Sequence, residues 1–478
     1  MSDAPSRLAG MSNEDESNWF YASPESLAGM VQRGRGRGAI RALTDPDGPA
    51  LVHACVARDY RWMWALDERE VYLARLVRDL GLSTAPIVEQ MWAAGRVASS
   101  FDNTFELAVG VLAVLACAGV GDSREQLRRY VREGQAWHEA LTQLAHLCPE
   151  QWDELDLFDI AASRLSDADV DQIALRSQPW TTWAERDEHL AGIVATARER
   201  FKRRRRPRPY ADAAQNTLFD LLRRQDAAVA DKRGALLELA RREPDPALLE
   251  IVDDLVAGNA PVPLVGLRRA VERLGAVAVD PARRWAAAGA PFSSLGLRIL
   301  SEHGDENDIP VLLAGFDRQV KNREWDGLGR LADAFARIGS DVAGAATLRL
   351  TWAWRTTPRS GERAAFLKGL TIFNPWDADR PLSEALYDCE SSVRRYAVEL
   401  APLTGANRER IRRLSTDPME TQEIRAAATT RLAKTDPVPS DGSPTESSSL
   451  CRDSEGVAPR PVACDGVSAP GRGVGRVE

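Results

Sequence analysis

The stretch Leu386-Tyr387-Asp388-Cys389-Glu390-Ser391-Ser392-Val393-Arg394-Arg395-Tyr396-Ala397-Val398-Glu399-Leu400 limits the possible folds more than any other. It reads as the end of one helix, a short polar turn and a second helix. Val393, Tyr396, Ala397 and Leu400 stand at i, i+3, i+4 and i+7, one apolar helical face. The pattern returns along the second half of the chain. Arg268, Arg298, Arg330, Arg363, Arg394 and Arg425 follow one another at steps of 30, 32, 33, 31 and 31 residues. Leu267, Ala270, Val271 and Leu274 match the reference stretch place for place, and Ile424, Ala427, Ala428 and Leu432 nearly do. Leu297 and Leu300 keep part of it, while Leu331, Ala334, Phe335 and Ile338 are displaced by one position. A helix pair of this size cannot bury its own apolar face, so units of this period stack and cover one another.

At 478 residues the chain exceeds one ordinary compact domain unless it grows in one dimension. Its 44% hydrophobic content is enough for an extensive core. Runs alternating with period two are nearly absent, so the expected class is all-α. The net charge of −8 excludes a global nucleic-acid signature. Six cysteines are scattered without a CxxC pair. Cys55, Cys117 and Cys148 lie in apolar helical surroundings and read as free, small hydrophobes. With an acidic rather than basic and apolar N-terminus, they point to a reducing cytoplasm. Leu107 to Gly121 is too short an apolar run to cross a bilayer, so no membrane partner is expected.

Chemistry-bearing motifs are scarce. There is no HExxH and no P-loop, and Gly34-Arg35-Gly36 lacks the strand that a dinucleotide fingerprint needs. His138 and His146 lack a third ligand. Asp305, Glu306 and Asp308 read as a helix-capping turn. No catalytic residue, metal or cofactor is expected, which points away from an enzyme.

The chain divides into a polar N-terminal tail (1–30), a helical lobe (31–200), a basic linker (201–225), the regular repeats (226–434) and a Ser-, Pro- and Gly-rich tail expected to be disordered (435–478). Arg33-Gly34-Arg35-Gly36-Arg37-Gly38 reads as a flexible lead-in to the first helix. Tyr60, Trp62 and Trp64 read as packing between helices, with base stacking or ligand capture as the alternative. Residues 202–208 carry six positive charges in seven positions, which suits a solvated connector or a contact to phosphates or an acidic partner.

The repeats resemble HEAT-repeat proteins, including the short bacterial kind seen in phycobilin-lyase-like proteins. The carrying residues are Leu386-Tyr387-Asp388, Val393-Arg394, Ala397 and Leu400, with Asp417 and Glu423-Ile424-Arg425-Ala426-Ala427-Ala428. The resemblance covers about 230–434, and 35–200 more weakly. It implies an α-solenoid of HEAT-like helical hairpins, here in two lobes with disordered tails, and usually a scaffold. It also implies a ladder between units, from a turn Asp to a basic residue six later. Asp388 and Arg394 fit that spacing, and the other units do not.

The candidate binding residues are Arg268, Arg298, Arg330, Arg363, Arg394 and Arg425, together with Trp352, Trp354, Arg203, Arg204, Arg205 and Arg206. The six repeat arginines either form a basic stripe for an acidic peptide or phosphate chain, or pair within their own repeats. Trp352 and Trp354 are two apart, so one packs inward and the other faces out. The expectation is a cytoplasmic protein-binding scaffold or regulatory adaptor with an unidentified protein partner, an acidic one where the arginines form the contact. The alternatives are a nucleic-acid-binding or DNA-repair-like solenoid using residues 202–208 and the arginine stripe, with Trp325, Trp352, Trp354, Trp376 and Asp377 as a set that could mimic base-removing HEAT-like enzymes, and a lyase-like modifying factor.

Overall fold

The computed structural model describes residues 21–435, apart from 63–66, 97–102, 148–152, 154–155, 167–169, 171–177, 205–207, 258–263, 290 and 340–341. Of the two expected tails, residues 1–20 and 436–478 lie outside the described residues. Every regular element among the described residues is helical.

The first half holds α1 (Leu27–Gln32), α2 (Gly36–Ala42), α3 (Gly48–Ala57), α4 (Arg69–Asp79), α5 (Ala85–Ala94) and α6 (Thr104–Cys117). It continues with α7 (Ser123–Glu133), α8 (Trp137–Leu147), α9 (Leu157–Arg164), α10 (Trp180–Trp183) and α11 (Glu188–Arg204). The second half begins with α12 (Gln215–Arg223), α13 (Val229–Leu239), α14 (Val252–Ala257), α15 (Leu264–Glu272), α16 (Val279–Ala287), α17 (Phe292–His303) and α18 (Ile309–Lys321). It ends with α19 (Leu328–Ile338), α20 (Ala343–Thr356), α21 (Arg363–Phe373), α22 (Asp379–Ala385), α23 (Ser391–Leu400), α24 (Gly405–Thr416) and α25 (Gln422–Thr435).

In the first half, α6 is the organising helix. Its residues from Leu107 to Ala116 are all buried, and α3, α4, α5, α7 and α8 pack against it. A helix apolar on all sides needs cover on all sides. In the second half the packing is sequential. Each pair α16/α17, α18/α19, α20/α21, α22/α23 and α24/α25 packs internally, and α13, α15, α17, α19, α21, α23 and α25 each touch the next in that series. Leu267, Ala270, Val271 and Leu274 are buried as the periodicity requires. In α23 the face is rotated: Val393, Arg394, Ala397 and Val398 are buried and Leu400 is half exposed.

Two hydrophobic cores result, one from Leu27 to Ala197 and one from Leu218 to Ala428, within a compact unit that runs to Thr435. The expected linker is narrower than 201–225. Helix α11 carries through Arg204, and α12 already buries Leu218, Phe219 and Leu222 in the second core. The expected tail also ends early, because α1 buries Leu27, Gly29, Met30 and Val31.

The Arg-Gly tract is not a flexible lead-in. Arg33 and Arg35 are buried, and the tract sits against the far end of the chain. Arg33 Nε donates to the Thr356 carbonyl at 2.9 Å and Arg35 Nη1 to the Arg355 carbonyl at 3.0 Å. The Cys389 amide donates to the Gly34 carbonyl at 2.9 Å. A Cβ on Gly36 would lie 1.7 Å from the Glu384 carbonyl oxygen, so glycine is what permits this approach. The start of the chain therefore docks onto the turns that precede α21, α23 and α25.

Cys117 is disulfide-bonded, which corrects the reading of it as a free thiol and removes that argument for a reducing compartment. No helix among the described residues is long and apolar enough to cross a membrane. Asp305 and Asp308 form a capping box, with Arg283 bonded to both.

Candidate functional site

Two polar regions stand out, and the repeat arginines divide between them. The first is a buried seam where the chain closes on itself. Arg363 is fully buried and bonds Asp388 at 2.7 Å. Arg394 bonds Glu420 at 2.8 Å. In both, an arginine meets an acid in the following turn. The expected side-chain rung from Asp388 to Arg394 is not formed; the ion pairs run Arg363–Asp388 and Arg394–Glu420. Arg394 reaches Asp388 only through its main-chain carbonyl, at 2.9 Å.

Side chains from the first half complete the seam. Arg69 pairs with Asp67 at 2.8 Å and donates to the Pro358 carbonyl at 2.6 Å. Glu68 accepts from the Ser391 amide at 2.8 Å, capping α23. Arg75 bonds Asp417 at 3.2 Å and Glu420 at 2.9 Å, and Arg78 bonds Asp417 at 2.7 Å. Burial tends to raise the Asp417 carboxyl, but the Arg78 hydrogen bond and the charges of Arg75 and Arg78 hold it below the usual range. Glu420 is likewise held low, against its burial, by the Arg394 hydrogen bond and charge.

Asp67, Cys389 and Glu390 bring three potential ligand atoms within 4.8 Å of one another. Guanidiniums already serve this cluster: Arg69 on Asp67, and Arg363 Nη2 donating to Cys389 Sγ at 3.1 Å. A divalent cation would face repulsion from both, so the trio belongs to the seam. Burial, then the Asp67 charge, pushes Glu390 up to about 7. Burial also raises the Cys389 thiol, which leaves it protonated and unreactive.

The second region is a groove along α15, α17, α19 and the start of α21. One part is a cavity of about 160 Å³ on which Arg268, Arg298 and Arg330 converge, with Asp326 the lining carboxylate. Three successive odd-numbered helices supply them, because the repeat returns the same position to the same face. The other part is a cleft of about 580 Å³. Asp67, Glu302, Asp333 and Glu362 line it, against Arg330 and Arg359, with Trp62 at the first-half side. Ser301 and Arg330 line both cavities, so the two adjoin. Burial raises Asp333 and Glu362.

The groove arginines are held loosely. Arg268 has an ion pair to Glu272 at 3.9 Å, Arg298 bonds the same Glu272, and Arg330 bonds Glu302 at 2.9 Å. Of the six arginines, Arg268, Arg298, Arg330 and Arg425 are partly exposed, and the first three line the groove. Arg363 and Arg394 are in the seam, and Arg425 donates to the Glu420 carbonyl at 2.7 Å.

Trp352 is 41% exposed and stacks on Trp325 at 5.7 Å, while Trp354 enters the core. Trp376 is 93% exposed. The aromatic set of the DNA-repair alternative is thereby split between surface and core. Arg203 and Arg204 lie in the last turn of α11. Arg205 and Arg206, like Trp64, lie outside the described residues.

Sequence reasoning passed over Asp67, Asp333, Glu362 and Glu420, and named Trp62 only within a cluster read as helix packing, whereas it is 40% exposed and lines the cleft. The available signal was chemical: an Arg at a repeat's core position requires a buried acid nearby. No family model, curated protein or solved structure matches the chain.

Proposed function

We propose that the chain is a HEAT-like solenoid scaffold, in two lobes, that seats an extended segment of a partner protein in this groove. The observation that carries the reading is that two adjoining cavities differ in the sign of their lining charges. Three guanidiniums against one carboxylate line one part, and two against four line the other. Such a surface selects a segment with acidic residues toward Arg268, Arg298 and Arg330, and a basic residue toward Asp333, Glu302 and Trp62. From α15 to α21 is three helix spacings of about 9 Å, roughly the length of eight residues of extended chain at ~3.3 Å each. The nucleic-acid alternative drew on residues 202–208 and the arginine stripe, and the burial of Arg363 and Arg394 takes two members from the stripe.

The test is selection from a random peptide library on the full chain, after nuclease treatment. Selected peptides should carry separated acidic and basic residues. They should lose at least tenfold in affinity to the Asp333→Arg/Glu302→Arg variant. Binders indifferent to that variant, or retention of nucleic acid alone with steep salt dependence, would overturn the proposal.

A further inference from the structure

The arginine end of the groove holds polar atoms that the described residues do not satisfy. Arg268 Nε, Arg330 Nε and Gln319 Oε1 are shielded from solvent and have no hydrogen-bond partner among them. All three residues line the 160 Å³ cavity with Arg298, Ser294 and Ser301. A buried polar atom left unpaired costs about 1–3 kcal/mol; two of these three are guanidinium donors, on side chains whose partly exposed forks line the cavity and suit a ligand's oxygens, while Gln319 Oε1 is an acceptor. Turning the Gln319 carboxamide over would present its NH₂ in place of Oε1.

The arginines have donors to spare. A guanidinium carries five N–H groups. Among the described residues, Arg268 has one long ion pair, Arg298 one hydrogen bond and Arg330 one.

We propose that this cavity binds a phosphate monoester. A single carboxylate would offer the arginines only what Glu272 and Glu302 already provide without the cost of association. A phosphoryl group carries −1.5 to −2 charges and three strong acceptor oxygens. It can face three forks at once, and arginine pairs with it in two-pronged fashion. The group can sit on the peptide segment proposed above, in which case the inference rests on that reading, or on a free small molecule. The recognising chemistry is the same.

The test is calorimetry on the full chain with four probes. They are a capped pentapeptide with central phosphoserine among alanines, the same peptide with glutamate in its place, inorganic phosphate, and sulfate. The phosphopeptide should bind at least tenfold more tightly than the glutamate peptide. Its affinity should fall as pH drops through about 6, where the dianion gains a proton. Arg298→Gln and Arg330→Lys should each weaken it at least tenfold with melting unchanged, the lysine variant because a point charge replaces a fork. Arg395→Gln, in an exposed pair with Glu423, should change nothing. Equal affinity for the phosphoserine and glutamate peptides, or phosphate binding that survives loss of all three arginines, overturns the inference. If library peptides occupy the groove with no preference for phosphate, this inference fails and the scaffold proposal stands. If inorganic phosphate binds and no peptide does, the phosphate site stands and the peptide reading fails.

Discussion

Arg363 and Arg394 occupy the same step of the repeat as Arg298 and Arg330, yet the two pairs lead different lives. The first two are sealed between acids and main-chain carbonyls. The second two are partly exposed, each tied to a glutamate on the preceding odd-numbered helix. The difference lies in what covers them. Over the turns before α21 and α23 lies the Arg33-to-Arg69 segment, which excludes water and forces every charge to find a partner. Over α15, α17 and α19 the described chain leaves a groove. One repeat position thus serves closure at one end of the array and leaves donors free at the other.

The sharpest way to break this contrast is to remove a sealed arginine. Arg363→Ala strands Asp388 without its cation and should cost about 3–5 kcal/mol, read by thermal or denaturant unfolding. Replacing both, as Arg363→Met/Asp388→Leu, should recover much of that.

Glu390 gives a pH signature. Its folded value near 7 stands above the ordinary 4.5, so the folded chain holds this proton more tightly than the unfolded one. That contribution is whole below about pH 4.5 and is lost as pH rises through 7. By the difference in values it amounts to roughly 3 kcal/mol. Melting temperature should therefore fall between pH 5 and 8, and Glu390→Gln should flatten the fall. Burial pushes Glu70 up to about 7 as well, so a shallower slope should persist. Asp417 and Glu420 act in the opposite sense. They are held low, and their contribution is present above the ordinary carboxylate range and disappears as pH falls.

Gly36→Ala should cost about 1–3 kcal/mol through overpacking against Glu384. Hydrogen exchange should accelerate over residues 22–43 first. A uniform rise across the whole chain would show that closure is not a separable step. The smallest effect belongs to the open arginines: Arg298→Gln should change stability by less than about 1 kcal/mol, as for half-exposed pairs.

The helical class and the stacking period were legible because apolar spacing is a local property. Leu267 to Leu274 fell inside as read. The capping turn at Asp305 and the opposed directions of Trp352 and Trp354 were legible for the same reason. The face of α23 was not. Arg394 takes a core position because Glu420, 26 residues on, neutralises it, and no spacing rule displays a partner at that distance. The Arg-Gly tract misled more seriously. Its composition suits a solvated segment, whereas its use depends on carbonyls 320 and 323 residues away. The groove was half legible: the arginines were visible as a series, but which of them remain open depends on where the chain's beginning docks.

That docking has a consequence for the order of assembly during synthesis. Arg33 finds its acceptor on Thr356, 323 residues later. At about 5–20 residues per second, translation alone separates the two by roughly 15–65 s. Throughout that interval α6 and its neighbours can form a core, since their contacts are near in sequence. The segment from Arg33 to Arg69 has to wait, with its guanidiniums hydrated and its glycines unoccupied. The earliest helices of the chain are thus among the last to reach their final surroundings.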